Sequence, residues 1–497
     1  MKKLLLFLFL FAERQVLADE RPNILWIFSE DLSPYMGCYD DPINRGYTPA
    51  IDKLAKEGVL FKRAFMPAPV CSACRSAMIT GVYQTTTGTH QHRSSRWSGG
   101  KVVPEELRIQ LPDGMKTIPE LFRDAGYFTF NAGKDDYNFH YDRNALYTVG
   151  SDPQYKVGMN GWQGNRAAVK DSWTENTWNA RPSKDTPWFG QVMIWGGKAK
   201  AKHVRKGEKL TDEEVPLPPY FPEAPGLRRA WTTHYNSVRG ADTQVEAILA
   251  QLQKDGQLED TIVFFFSDHG NNQSLRHKQF CYEGGLHVPL IVKGEHPKIK
   301  SSNIRNDLVL GLDISATTLA LADIPLPKYL DGVDLFAADH QPREFVVSAR
   351  DRCDYTIDRI RTVRTERYRY IRNYYLDRPM LQAQYRDKRP ALMDLKRLHK
   401  EGKLTDYQEE HWFGARPKEE LYDLALDPHQ MTNLAADPEF GDELKAHRQV
   451  LAQWIVNTGD KGEQLESATS LKPTYDLWKE LPIFKNADVN PEYDQFR

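Results

Sequence analysis

The chain is predicted to be an α/β protein with a mostly parallel central sheet sandwiched by helices, followed by a smaller C-terminal α+β subdomain with an antiparallel sheet. Three observations lead there. From residue 22 to about residue 340, short apolar strands alternate with amphipathic helices, the pattern of crossover connections covering both faces of a parallel sheet. Two strands, PNILWIFSED (22–31) and TIVFFFSDHG (261–270), are apolar along their length and end in ligand-type polar residues. Strands buried on both faces read that way, and open α/β sheets place their sites at the carboxyl ends of the strands. Beyond residue 340 the pattern changes, and DRIRTVRTERYRYIRNY (358–374) alternates apolar residues with Arg and Tyr, as antiparallel strands do.

The elements follow in order. TPAIDKLAKEG (48–58) has helical spacing between a Thr cap and a closing Gly. VLFKRAFM reads as the next strand, and TIPELFRDAGYFTFNAGKDD (117–136) as helix, glycine, strand. Segment 145–230 is rich in Trp, Pro, Gly and Lys without a clear period, and long loops around a site are expected there. HYNSVRGADTQVEAILAQLQKDG (234–256) is an amphipathic helix stopped by Gly256, and VPLIVKG (288–294) a short buried strand. No internal repeat is visible. The expected division is a catalytic domain over 19–345 and a C-terminal subdomain over 346–497.

With 497 residues and a formal net charge of -2, the chain has no global pull towards nucleic acid. It opens MKKLLLFLFLFAERQVLADE: a basic pair, a short apolar run and a small-residue exit, read as a signal peptide over 1–18. The run is too short to span a bilayer, and no later stretch reads as a membrane span. The expectation is export, periplasmic or secreted. The five cysteines, Cys38, Cys71, Cys74, Cys281 and Cys353, are too sparse for a disulfide framework and lack a zinc-site spacing.

Glu30 and Asp31 end one strand, and Asp268 and His269 end another. Carboxylates converging at one sheet edge repel unless a cation lies between them, and calcium suits an irregular oxygen-rich cluster. These four are the candidate metal ligands, for Ca2+ or alternatively Mg2+ or Mn2+. In VCSACRSAMITG (70–81), Cys71 stands four residues before Arg75 at what reads as a helix opening. That is a position of positive potential.

The segment Cys71-Ser72-Ala73-Cys74-Arg75, followed by Thr80-Gly81, resembles the signature of the type I sulfatases of the alkaline phosphatase superfamily, Cys-x-Pro/Ala-x-Arg before a helix and Thr-Gly. The polysaccharide and heparan N-sulfatase subgroup is the nearest in kind. The resemblance extends over most of the chain. PNILWIFSEDLSPYMGCYDD is similar to the first metal strand, with Glu30 where Asp is usual, and SDHG to the second, with His269 where Asn is common. HKQFCYEGGLHVPLIV is similar to the segment whose lysine, here Lys278, contacts the sulfate, with His287 in place of a usual Arg. ELYDLALDPHQMTNLA (420–435) is similar to a C-terminal family segment. The resemblance implies that Cys71 is oxidised to formylglycine by a formylglycine-generating or anaerobic sulfatase-maturating enzyme. The hydrated aldehyde of that family attacks sulfur with one hydroxyl and later expels sulfate with the other. It further implies cationic sulfuryl contacts from Arg75, Lys134 and Lys278. Two departures stand out. Gly133-Lys134-Asp135-Asp136 replaces Gly-Lys-x-His, so Asp136 stands where a histidine is usual. Lys198, or His203 a few residues on, replaces a second histidine. Either could protonate the leaving alcohol.

THQHRSSRW (89–97) places His90, His92, Arg93 and Arg96 after the nucleophile helix, and ARDRCDYTIDRIR (349–361) is similar to a family segment whose Arg and Asp face the sugar, here Arg350, Asp351 and Arg352. These are the candidate substrate contacts. The function expected is hydrolysis of sulfate esters, or alternatively a sulfamate, on a glycosaminoglycan or algal sulfated oligosaccharide, with that oligosaccharide and the maturating enzyme as partners. Rival readings are a formylglycine-dependent phosphonate or phosphodiester hydrolase on the same fold, and a non-catalytic sulfated-glycan binding protein.

Overall fold

The structure, a computed structural model, describes residues 21–94, 105–149, 177–300, 303–485 and 490–497. The signal peptide expected over 1–18 lies outside the described residues. Seven strands form the central sheet: β1 (Asn23–Ser29), β2 (Val59–Phe65), β3 (Phe128–Ala132), β4 (Trp188–Ile194), β5 (Thr261–Ser267), β6 (His287–Lys293) and β7 (Asn303–Leu310). Their order is β3-β4-β1-β5-β6-β2-β7. β6 runs antiparallel to β5 and β2, and the other pairs are parallel. The mostly parallel sheet is present, with one strand reversed inside it.

Period-two alternation divides the strand residues between two layers. Ile24, Trp26, Phe28, Phe264 and Phe266 pack on α2 (Cys71–Thr80), α3 (Ile118–Asp124) and the helix Gly311–Leu321. Leu25, Ile27, Val263 and Phe265 pack on α1 (Pro49–Glu57) and the long helix Pro225–Lys254, here α4. Each of these fully buried side chains contributes about 1.5–3 kcal/mol. The buried indole of Trp26 is satisfied by Thr318 Oγ1 at 2.9 Å.

Three local expectations are revised. Thr48 does not cap α1 with its side chain. Asp242 of α4 accepts from Ile51 N at 2.8 Å instead, so the orphan donor is satisfied across the layer. The segment 145–230 is not all loop, because β4 lies in it, between β3 and β1. Its Trp188, Phe189, Val192 and Ile194 are buried on both faces, which erases the alternation that would have marked a strand. α4 begins at Pro225, with the proline in its first turn, well before its amphipathic period becomes visible.

A second sheet has the order β11-β10-β9-β8 and is antiparallel throughout: β8 (Val346–Arg350), β9 (Ile360–Arg364), β10 (Tyr368–Asn373) and β11 (Glu419–Asp423). It abuts the approach to Cys71. Ala349 N donates to Pro67 O at 2.9 Å, and Ser348 Oγ to Met66 O at 2.7 Å. Glu283, just before β6, takes Arg364 of β9 and Arg369 of β10.

Candidate active site

Neighbouring parallel strands β3, β4, β1 and β5 deliver their carboxyl ends to one edge of the sheet. Lys134 follows β3, Lys198 follows β4, Glu30 and Asp31 follow β1, and Asp268 and His269 follow β5. Asp31 has φ +55 and its N–H donates to Asp268 Oδ1 at 2.9 Å, which locks the two strand ends together. α2 supplies the remaining element. Cys71 is its first residue, after an extended Val70, and Gly81 (φ +70) closes it with a bond to Ala77 O.

The Sγ of Cys71 is fully buried. It lies 3.1 Å from Lys278 Nζ, 3.1 Å from His269 Nε2 and 3.7 Å from Asp31 Oδ1. Burial pushes the thiol up, but Lys134, Lys278, Lys198 and His269 outweigh it and hold the group well below the usual thiol range. Cys74, one helical turn on and also buried, goes the other way: burial and Asp268 hold its thiol well above that range. The two cysteines of the segment are thus electrically opposite.

Arg75 pairs with Glu30 and with Asp268 Oδ2 (3.4 Å), donates to Lys134 O, and lies over the Phe28 ring at 4.0 Å. Glu30 also takes Lys134 at 3.3 Å, and Lys198. Burial works against its ionisation, yet Lys134, Lys198 and Arg75 hold the carboxyl at about 2. Asp31 takes Lys278 at 3.0 Å and His269 at 3.0 Å, and Asn272 Nδ2 donates to its other oxygen. Asp31, Cys71, Asp268 and His269 offer ligand atoms within 4.8 Å of one another, so the described residues contain one cluster able to hold a metal ion. Glu30 stands beside that set rather than in it.

Residues 22–324 match the sulfatase family model. The chain belongs to the sulfatase family. It is a sulfuric ester hydrolase of the alkaline phosphatase-like fold, and a purely binding role is set aside. Residues 271–410 also match the model of the N-sulphoglucosamine sulphohydrolase C-terminal region. The sulfatase is 30% identical over 463 residues to an ulvan-active sulfatase of Formosa agariphila, covering 90% of this chain and 77% of that one. It is 26% identical to the N-sulphoglucosamine sulphohydrolase of Homo sapiens, covering 89% and 92%. Among solved structures, a 2-O GAG sulfatase superposes with TM-score 0.61 at 21% identity, covering 91% of this chain and 96% of that chain.

Lys198 and Lys278 of this sulfatase also line a cleft of about 1300 Å³, whose wall includes His92, Arg93, His203 and Asn272. His203 is exposed on that wall and packs over Gly240, away from the groups that touch Cys71. His92 Nδ1 lies 3.2 Å from Asp354 Oδ2. Arg93 pairs with Asp136 at 3.2 Å, and Asp136 with Lys134 at 2.7 Å. Arg93 (φ +59) and Asp136 (φ +55) are both non-glycine residues in the left-handed region, strain of the kind found where surrounding structure fixes a site.

Other candidates lie elsewhere. His90 is buried and does not line the cleft. Arg350, Asp351 and Arg352 point inward into ion pairs with Asp358, Arg361 and Glu466, and none lines the cleft. His287 donates to or accepts nothing at the site; its Nε2 meets Lys62 O and its ring packs on Phe65. Arg96 lies outside the described residues. Asn272 and Asp354 were not singled out from the sequence. Asn272 sits four residues after Asp268, a signal that SDHGNN carries in plain view, whereas nothing local marks Asp354.

Proposed function

We propose that this sulfatase is exported and hydrolyses sulfate esters on a carbohydrate, a glycosaminoglycan or algal sulfated polysaccharide oligosaccharide, with a nucleophile made from Cys71 and a divalent metal. The observation that carries the reading is the setting of Cys71: the first residue of α2, ringed by lysines, two of which also wall the cleft. The relatives named for ulvan and for N-sulphoglucosamine support the carbohydrate class. The maturating partner is a formylglycine-generating or anaerobic sulfatase-maturating enzyme, and the division at 345/346 separates the two sheets.

The donor set fits a divalent cation. Two carboxylates and an imidazole converge, and the ammonium groups of Lys198 and Lys278 now lie against Asp31, marking it as a site that requires positive charge. Asp31, Asp268 and His269, with Glu30 beside them, would hold Ca2+, or Mg2+ or Mn2+, and the bound ion would supply charge that polarises a sulfuryl oxygen. Formylglycine, as the hydrated aldehyde, supplies a hydroxyl nucleophile where the thiol stands.

The chain's own side chains perform the remaining tasks. Lys134, Lys278 and Arg75 hold the sulfuryl oxygens by charge-assisted hydrogen bonds, which gain strength because the site is buried. Asp136 fixes Lys134 from one side and Arg93 from the other, in place of the family's histidine. Of the two candidate acids, Lys198 is within the cluster and His203 is on the rim. Burial opposes the charge of Lys198, but Asp31 and Glu30 hold its pKa well above the ordinary lysine value. That keeps its Nζ protonated, and it is its place in the cluster rather than its acidity that makes it the candidate donor to the leaving alcohol oxygen, a role worth about 10²–10⁴-fold where the donor's pKa lies near the working pH.

The test is a panel of O- and N-sulfated oligosaccharides given to the matured enzyme, with aryl sulfate and aryl phosphonate alongside. Sulfate release from at least one sugar is expected. A large preference for the phosphonate, with no release from any sugar, replaces this reading with that of a phosphonate hydrolase.

A further inference from the structure

The loop over 271–280 brings Asn272 and Lys278 to the site. Two of its residues, Arg276 (φ +62) and Gln279 (φ +75), are non-glycine residues in the left-handed region, so the loop's shape must be imposed from outside. Part of the constraint comes from the approach to α2, because Gln279 N donates to Pro69 O at 2.8 Å. The rest comes from far along the chain. Arg276 reaches out to His429 O and Gln430 O. In the opposite direction, Arg386 reaches in, and its Nη2 donates to Lys278 O at 3.0 Å and to Gln279 Oε1 at 2.9 Å. Its Nη1 donates to Asn272 O at 3.3 Å, and its Nε to Gln384 Oε1 at 2.9 Å. Arg389 meets Asn272 O as well, at 2.6 Å.

Among the described residues, Arg386 is one of three buried arginines, with Arg239 and Arg276, whose hydrogen bonds reach no carboxylate, and of the three it is the one that grips the loop carrying Lys278 from outside. Its side chain is fully buried, and its hydrogen bonds go to carbonyl and amide oxygens rather than to a carboxylate. Buried Arg75, Arg352 and Arg361 each sit on an acidic partner. A desolvated guanidinium without a counter-ion is costly, and burial accordingly brings its pKa down to about 10. A planar fork that holds the carbonyls of Asn272 and Lys278 and the side-chain amide of Gln279 gives that cost a purpose: Arg386 sets where the Lys278 backbone lies and hence where Nζ ends.

We propose that Arg386 is a positioning residue for Lys278, so that the C-terminal part of the chain takes part in building the sulfuryl-binding site. This rests on the reading of Lys278 as a sulfuryl contact. The test compares wild type, Arg386→Met and Arg389→Met as matured full-length enzymes on a sulfated substrate that the wild type hydrolyses, with inorganic sulfate as competitive inhibitor. For Arg386→Met, kcat is expected to fall about tenfold or more, the inhibition constant for sulfate to rise by a similar factor, and KM to move less than about threefold. Arg389→Met, which loses the Asn272 contact but none to Lys278, lowers kcat less. A kcat and sulfate inhibition constant for Arg386→Met within about twofold of wild type overturn the proposal. So does an effect no larger than that of Arg389→Met. If Arg386→Met does not fold, Gln384→Met takes its place: it keeps the guanidinium but removes the acceptor at Nε. Lower kcat there supports the proposal, and unchanged kcat overturns it. A sulfate inhibition constant for Lys278→Met within about twofold of wild type overturns the reading of Lys278 itself, and the proposal with it.

Discussion

The Nζ of Lys278 and the Sγ of Cys71 lie 3.1 Å apart although 207 residues separate them in the chain. The contact joins the head of α2 to the loop between β5 and β6, and it places a cation on one cysteine of a pair while leaving the other in apolar packing.

The two cysteines should therefore respond oppositely to substitution. Cys71→Ala is expected to abolish sulfate release, whereas Cys74→Ala keeps it and lowers stability by about 1 kcal/mol, as a small buried side chain does. Mass spectrometry of the peptide over residues 64–93 from active enzyme should show a loss of about 18 Da at Cys71, the thiol-to-aldehyde change. Full activity in Cys71→Ala, or modification at Cys74, would refute the assignment.

Removing the metal should be felt as stability as well as rate. Chelation is expected to lower Tm by several degrees, because an ion that binds only the folded chain stabilises it. Asp31→Asn is expected to abolish stoichiometric metal uptake in elemental analysis after dialysis. Equal metal content in Asp31→Asn and wild type would exclude Asp31 as a ligand.

Asp136 links Lys134 to Arg93. Asp136→Asn should fold, since asparagine tolerates the left-handed conformation. It should lower kcat/KM about tenfold or more by freeing two cations whose partner it no longer charges. Unchanged kcat/KM at full sulfate release would show that the pair only shapes the loop.

Glu283 ties β6 to the second sheet. Burial raises its pKa, but Arg369, Arg364 and His287 bring it down to about 2 from 4.5. A depressed carboxylate contributes stability above its unfolded value, and the contribution fades as pH falls from 4.5 towards 2; the full shift corresponds to an upper figure on the order of 3 kcal/mol. Thermal unfolding of wild type and Glu283→Gln should differ most above about pH 5, and the gap should narrow as pH falls through 4.5 and close only towards about pH 2. A constant gap across that range would remove Glu283 from the pH response.

Much of this was legible in the chain. The ends of β1 and β5, and the register of Cys71 with Arg75 and Thr80-Gly81, could be read because chemistry there is tied to local spacing. The reversal of β6 could not, since a short buried strand reads alike in both directions. β4 was hidden because burial on both faces removes alternation. Arg350, Asp351 and Arg352 looked like sugar contacts, but partners as distant as Glu466 decide where they point. Arg386 carried no signal, because its acceptors are two main-chain oxygens, which every residue possesses, and two glutamine amides with no charge to mark a pairing.

The position of β2 bears on the order of events during synthesis. β2 leads into Cys71, yet its neighbours in the sheet are β6 and β7. At about 5–20 residues per second, the chain from Phe65 to His287 takes on the order of ten seconds or more to emerge. Until then the segment around Cys71 has no sheet to join, and afterwards its sulfur has no exposed surface. Under the maturation proposed above, a modifying enzyme would act in that interval, and the strand order would serve as its timer.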